Sequence, residues 1–137
     1  MNRLDFCKLM EQAKIASGIP ASEISFSMKM LMPTLRRFEK GEHNFSLVKV
    51  MEYLQVLHAQ LVIYNEKLTV VVTEYSQLIE WLVSARKNGY TQRKLAEAVG
   101  ISYVMLARIE SNKSSLSIDV YLKIIEVLGY SVNIKLL

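Results

Sequence analysis

What most constrains the fold of this 137-residue chain is that it repeats itself. Sliding the sequence along itself by 71 positions (108 minus 37) places Gly18 on Gly89, Leu35 on Leu106, Arg37 on Arg108 and Glu39 on Glu110. The same shift matches Ser46 with Ser117, Val56 with Val127, Leu57 with Leu128 and Ile63 with Ile134. Apolar character follows at Ile24/Leu95, Phe38/Ile109, Phe45/Leu116 and Leu61/Val132, with no gap in the register. A match of this length reads as one small fold used twice. The chain has room for one ordinary domain, or for two very small ones that share a core.

Each copy reads as several short helices followed by a strand. In the second copy Leu78, Leu82 and Ala85 recur at helical spacing, Gly89 stops that helix, and Thr91 is placed to cap the next. The segment from Gln92 to Val99 carries Leu95, Ala96 and Val99 on one face and ends at Gly100, which suits a left-handed turn residue. Ser102 caps a third helix running to about Glu110, and Asn112 to Ser115 form a polar loop. Ser117 caps a fourth helix with a stripe of Val120, Tyr121, Ile124, Ile125 and Leu128, ended by Gly129. From Tyr130 the pattern alternates, Val132, Ile134 and Leu136 against Ser131, Asn133 and Lys135, as in a half-buried strand.

The connector is rich in β-branched residues from Leu68 to Thr73, and Asn65-Glu66-Lys67 before it reads as a hairpin turn. The chain thus divides into a degenerate repeat over 1–64, a β connector over 65–74, and a second repeat with its C-terminal strand over 75–137.

Two short helices joined by a tight glycine turn can place the second helix in the major groove of DNA. The segment Thr91-Gln92-Arg93-Lys94-Leu95-Ala96-Glu97-Ala98-Val99-Gly100-Ile101-Ser102, with Met105-Leu106-Ala107-Arg108-Ile109-Glu110-Ser111-Asn112-Lys113 after it, resembles the phage-repressor (Cro-type, XRE) helix-turn-helix family. The resemblance implies a mainly α fold: two lambda-repressor-like helix-turn-helix bundles in tandem, joined by a small antiparallel β-sheet. It also implies a sequence-specific transcriptional regulator, a repressor, with double-stranded DNA as its partner; the lone cysteine, Cys7, points to a cytoplasmic protein.

The resemblance assigns roles as well. Gln92 opens the second helix, where family members touch a phosphate or a base, and its amide both donates and accepts. Ser102, Tyr103, Val104 and Met105 open the reading helix; Tyr103 and Met105 are the candidates for base edges, while Val104 is expected to pack inward. Arg93, Lys94, Asn112 and Lys113 flank that helix as phosphate contacts or as solvated surface residues. Arg86 and Glu110 stand where the family has an ion pair that orients the reading helix.

The first copy departs from this pattern. Under the 71-residue shift Gln92 becomes Ala21, Arg86 becomes Ile15, Gly100 becomes Lys29, and Ser102-Tyr103-Val104-Met105 becomes Leu31-Met32-Pro33-Thr34. Leu35, Glu39 and Gly41 survive, so the scaffold remains while the groups that could read bases do not. Met28, Met30 and Met32, with Phe26 and Leu31, either fill the core between the copies or form an adaptable surface for a protein partner. Arg36, Arg37 and Lys40 keep a weak phosphate contact open.

Two functional classes remain. In the first, the second copy reads a half-site, while the first copy acts as an intramolecular pseudo-dimer partner or as the interface of a true homodimer, with the strand from Tyr130 as a further pairing edge. In the second, the chain resembles the HipB-type antitoxins of the same family, which bind a toxin protein and repress their own operon.

Other classes find little support. There is no phosphate-binding glycine loop and no nucleophile set with workable spacing, so no enzyme and no cofactor are expected. Cys7, His43 and His58 match no common metal spacing, and Cys7 is expected to be buried and reduced. The net charge of +4 permits contact with a polyanion without requiring it, and no apolar run is long enough for a bilayer.

Overall fold

A computed structural model describes residues 1–137. Eight helices and three strands follow in the order α1 (Arg3–Ser17), α2 (Ala21–Met28), α3 (Met32–Lys40), α4 (Leu47–Val56), β1 (Ala59–Tyr64), β2 (Thr69–Val72), α5 (Tyr75–Lys87), α6 (Gln92–Val99), α7 (Tyr103–Glu110), α8 (Ile118–Leu128) and β3 (Ser131–Leu136). The fold is mainly helical with one small antiparallel sheet of order β2-β1-β3.

Adding 71 to the bounds of α2 gives those of α6, and the same shift carries α3, α4 and β1 onto α7, α8 and β3 to within one residue at each end. Backbone torsions repeat even where the side chains do not. Lys29 (φ 53°) stands where Gly100 (φ 84°) does, Asn112 (φ 61°) where Gly41 (φ 71°) does, and His58 (φ 54°) where Gly129 (φ 83°) does. All six lie in the left-handed region that favours glycine.

The first helix of each half breaks the gap-free register. Phe6, Cys7, Met10 and Lys14 of α1 occupy the places of Leu78, Ile79, Leu82 and Arg86 of α5, a shift of 72 (86 minus 14). The N-terminal half thus has one residue more before its second helix: α1 runs on to Ser17 beyond Lys14, whereas α5 ends at Lys87, directly after Arg86. The turn that follows offsets part of this, with Ile19 alone between the caps Gly18 and Pro20 against Gly89 and Tyr90 between Asn88 and Thr91. Gly89 accordingly does not end α5; the helix closes on Asn88, and Gly89 keeps a negative φ. Ile15 is therefore no counterpart of Arg86, and its exposure follows from that.

The halves meet through reciprocal contacts. The Leu47 N–H donates to the Leu116 carbonyl at 2.7 Å and the Ile118 N–H to the Phe45 carbonyl at 2.9 Å, with Ser46 bridged to Ser117 between them. In the sheet, β1 runs antiparallel to β3 with Leu61 opposite Ile134, Val62 opposite Asn133 and Ile63 opposite Val132. Under the 71-residue shift each of these contacts maps onto its own mirror pair, so a pseudo-two-fold axis passes by Ser46/Ser117 and by Val62/Asn133. One cluster of 33 buried residues runs through both halves, and Phe6 of α1 meets Tyr121 of α8 edge to face at 6.3 Å.

The β1–β2 connection is an Asn-centred turn. Asn65 Oδ1 accepts from the Lys67 and Leu68 N–H groups, both at 2.9 Å. β2 and β3 are the two sheet edges. No helix is long and apolar enough to cross a membrane.

Candidate nucleic-acid interface

The helix-turn-helix unit of the C-terminal half is built from short-range signals. Thr91 Oγ1 accepts the Lys94 N–H at 3.1 Å and starts α6. Gly100 turns left-handed, its N–H bonding to the Ala96 carbonyl at 2.9 Å, and the next N–H, of Ile101, to that same carbonyl at 3.0 Å. Two residues later Ser102 Oγ accepts the Met105 N–H at 3.1 Å and starts α7. Leu95, Ala96 and Val99 of α6 and Leu106 and Ile109 of α7 fill the angle between the helices.

That inward stripe decides what α7 shows outward. Tyr103 (42 %), Val104 (53 %) and Met105 (39 %) are all exposed at its N-terminus. Val104, expected to pack inward, instead points away. It lies two residues before Leu106, and two residues turn a helix by about 200°, which sets it on the opposite side from the core.

A buried polar cluster fixes α7 against α5 and α6. Arg86 Nε donates to Glu110 Oε2 at 2.6 Å and Arg86 Nη2 to Oε1 at 2.9 Å, a bidentate pair, and Nη1 donates to the Tyr90 carbonyl at 3.1 Å. Gln92 Nε2 donates to Glu110 Oε1 at 3.0 Å. A carboxylate only accepts, so the amide nitrogen of Gln92 must face inward. Its carbonyl oxygen and second N–H stay uncommitted on a half-buried side chain.

Arg93 lies with its guanidinium 4.0 Å from the centroid of the Tyr103 ring. Stacking on a ring face leaves the N–H fork of an arginine free at its edge while restricting its motion. Arg93 and Tyr103 thus form an exposed pair across the two helices, with Met105 exposed on α7, Lys94 exposed on α6, and Asn112 and Lys113 exposed in the loop after α7.

Sequence reasoning missed Arg108. Its Nε donates to Ser114 Oγ at 3.1 Å and its Nη2 to the Lys113 carbonyl at 3.3 Å, so it ties that loop to α7 and sets where Lys113 stands. The only signal available was a cation on the outward face of α7.

The corresponding surface of the N-terminal half is different. Glu39 replaces Glu110 but is held by Lys14 at 3.1 Å and by the Tyr53 hydroxyl, which donates at 2.6 Å. Burial and this carboxylate both push the Tyr53 phenol above its ordinary range. Of the methionines placed on a partner surface, Met28 is buried in the core and is not available. Met30 and Met32 are half-buried against the core, where unbranched side chains fill irregular gaps. The exposed apolar groups there are Phe26 (83 %) and Leu31 (77 %).

Residues 83–134 match the family model described as helix-turn-helix, so this part of the chain is similar to helix-turn-helix domains. The matched span takes in the C-terminal end of α5 and runs through α6, α7, α8 and most of β3. No curated protein and no solved structure matches the chain significantly.

Proposed function

We propose that the protein is a sequence-specific transcriptional regulator, a repressor, that reads double-stranded DNA with α7. The observation that carries this reading is the exposed N-terminus of α7, presented by two capped turns and locked to α5 and α6 by the Arg86–Glu110–Gln92 cluster. Tyr103, Met105 and Val104 are the groups that would meet base edges, Met105 and Val104 by contact with thymine methyls. Ser102 caps the helix at the point of entry, and Gln92 would bridge to a phosphate or the adjacent base. Arg93, Lys94, Asn112 and Lys113 would hold the backbone without reading it.

In this reading the chain is two helix-turn-helix bundles in tandem over 1–64 and 75–137, joined through residues 65–74, with the first bundle kept as scaffold. The shared left-handed positions and the repeated element bounds support that view.

The test is selection of bound sequences from a random duplex pool by the wild type and by a Gln92→Ala, Tyr103→Ala double variant whose fold is checked by circular dichroism. A motif enriched by the wild type and lost in the folded variant is the expected result; enrichment of nothing by the wild type would sink the reading. Affinity should also fall steeply with added salt if Arg93, Lys94 and Lys113 meet phosphates.

A second reading, an antitoxin that captures a toxin protein and represses its own operon, is favoured by one observation. Phe26 and Leu31 lie bare on the surface that corresponds to the reading face. Loss of a co-purifying partner on Phe26→Ser, Leu31→Ser substitution, with DNA binding kept, would distinguish it.

A further inference from the structure

We propose that the duplex element recognised by this protein is a single asymmetric half-site, engaged by one chain, rather than a palindrome engaged by two. This inference rests on the DNA-reading proposal above and narrows the class of site it reads.

A palindromic operator is read by two identical heads related by a two-fold axis, and such a pair needs a self-complementary surface on each subunit. Here that surface is already occupied within one chain. The reciprocal bonds from Leu47 to Leu116 and from Ile118 to Phe45 are the two halves of an isologous contact. So is the β1–β3 ladder centred on Val62 and Asn133. Leu47, Leu116 and Ile118 are fully buried at this junction. Two chains could pair through the same surfaces only by dissolving a core that runs continuously through both halves.

The pseudo-two-fold axis therefore puts the N-terminal half where a second reader would stand, and that half cannot read. Ala21 replaces Gln92, and Leu31-Met32-Pro33-Thr34 replaces Ser102-Tyr103-Val104-Met105. Leu31, Met32 and Pro33 lack the donors and acceptors of a bidentate pairing, Met32 packs against the core, and half-buried Thr34 is the one hydroxyl left, so nothing there matches the Tyr103 and Arg93 pair. Sequence information then enters from α7 alone. Arg36, Arg37 and Lys40 can hold the neighbouring backbone without adding any.

The experiment takes the full chain and the motif selected from the random pool. Native mass spectrometry counts the chains on a duplex carrying one motif. Titration then compares that duplex with one carrying a second, inverted motif about one helical turn away. The expected result is a motif without internal dyad symmetry, one chain per motif, and a gain of only about twofold from the second motif, the statistical value for independent sites. Met32→Ala and Thr34→Ala should leave the motif unchanged, whereas Tyr103→Ala should alter it. A palindromic motif, or two chains loading together with a gain of tenfold or more, would overturn the inference while leaving α7 as the reader. Absence of any enriched motif would bring down the DNA-reading proposal, and this inference with it.

Discussion

Glu39 and Glu110 occupy the same place in the two halves, yet one is held by a lysine and a tyrosine and the other by an arginine fork and a glutamine. Both arrangements fasten the third helix of a half to its first. Only the second also anchors a residue at the start of the turn unit, Gln92, which places a polar amide beside the outward face of α7. The contrast separates two demands on one scaffold: holding a helix in place, which a lysine and a phenol satisfy, and presenting chemistry, which needs a planar donor and a free amide. The N-terminal half has kept the first and given up the second.

Removing each glutamate is the sharpest way to break this comparison. Arg86 and Glu110 have side chains only 9 % and 7 % exposed, so Glu110→Ala strands a buried guanidinium and is expected to cost about 3–5 kcal/mol in urea unfolding. Lys14, at 26 %, can turn to water when Glu39 is lost. Glu39→Ala then costs mainly the orphaned Tyr53 hydroxyl, about 1–3 kcal/mol. Equal costs would mean that the two clusters are equivalent after all.

Next in size are the proposed reading positions. Tyr103→Ala and Met105→Ala are each expected to lose about 1–3 kcal/mol at particular base pairs. A loss spread evenly over all sequences would make them positioning groups.

A smaller effect is expected at the turns. Lys29 adopts the left-handed conformation that Gly100 adopts in the other half, and a Cβ at Gly100 would meet nothing within 4 Å. Steric contact therefore plays no part, and backbone strain alone should set both effects. Lys29→Gly should stabilise by roughly 0.5–1 kcal/mol and Gly100→Ala destabilise by about 1 kcal/mol in thermal unfolding. Opposite signs at either site would dissolve the structural equivalence of the two turns.

The smallest effect concerns Tyr121, whose buried hydroxyl has no partner, and whose phenol burial pushes above its ordinary range. Tyr121→Phe should be neutral to slightly stabilising near pH 7, by up to about 1 kcal/mol. Unfolded phenols ionise near pH 10, before the buried one. The unfolded state therefore sheds its proton first, and stability falls as pH rises past about 10. The variant should blunt that fall in alkaline denaturation curves, and an unchanged slope would show that Tyr121 does not contribute to it.

Much of this was legible in the chain itself, because local signals agree with the fold. Thr91, Ser102 and Ser117 cap the helices assigned to them, and Gly100 and Gly129 turn where expected. The Arg86–Glu110 pair forms as the resemblance implied. What escaped depends on rotation rather than residue type. The one-residue difference between the first and second helices hides in a matched Gly18 and Gly89, because a helix turned by about 100° still presents an apolar stripe. Val104, expected inside, points outward for the same reason, whereas Met28 takes the core position that was one of its two expected places. The left-handed lysine and histidine carry no sequence mark, since the surrounding fold imposes that conformation on them.

The ladder between β1 and β3 also has a bearing on how the molecule is made. Ala59 pairs with Leu136, so the central strand of the sheet waits for a partner that leaves the ribosome long after it does. Until then the edge of β1 opposite β2 stays open, and the shared core lacks one of its walls. The N-terminal half is thus a nascent chain that cannot finish folding alone, and its exposure to chaperones and proteases is set by the time taken to translate the C-terminal half.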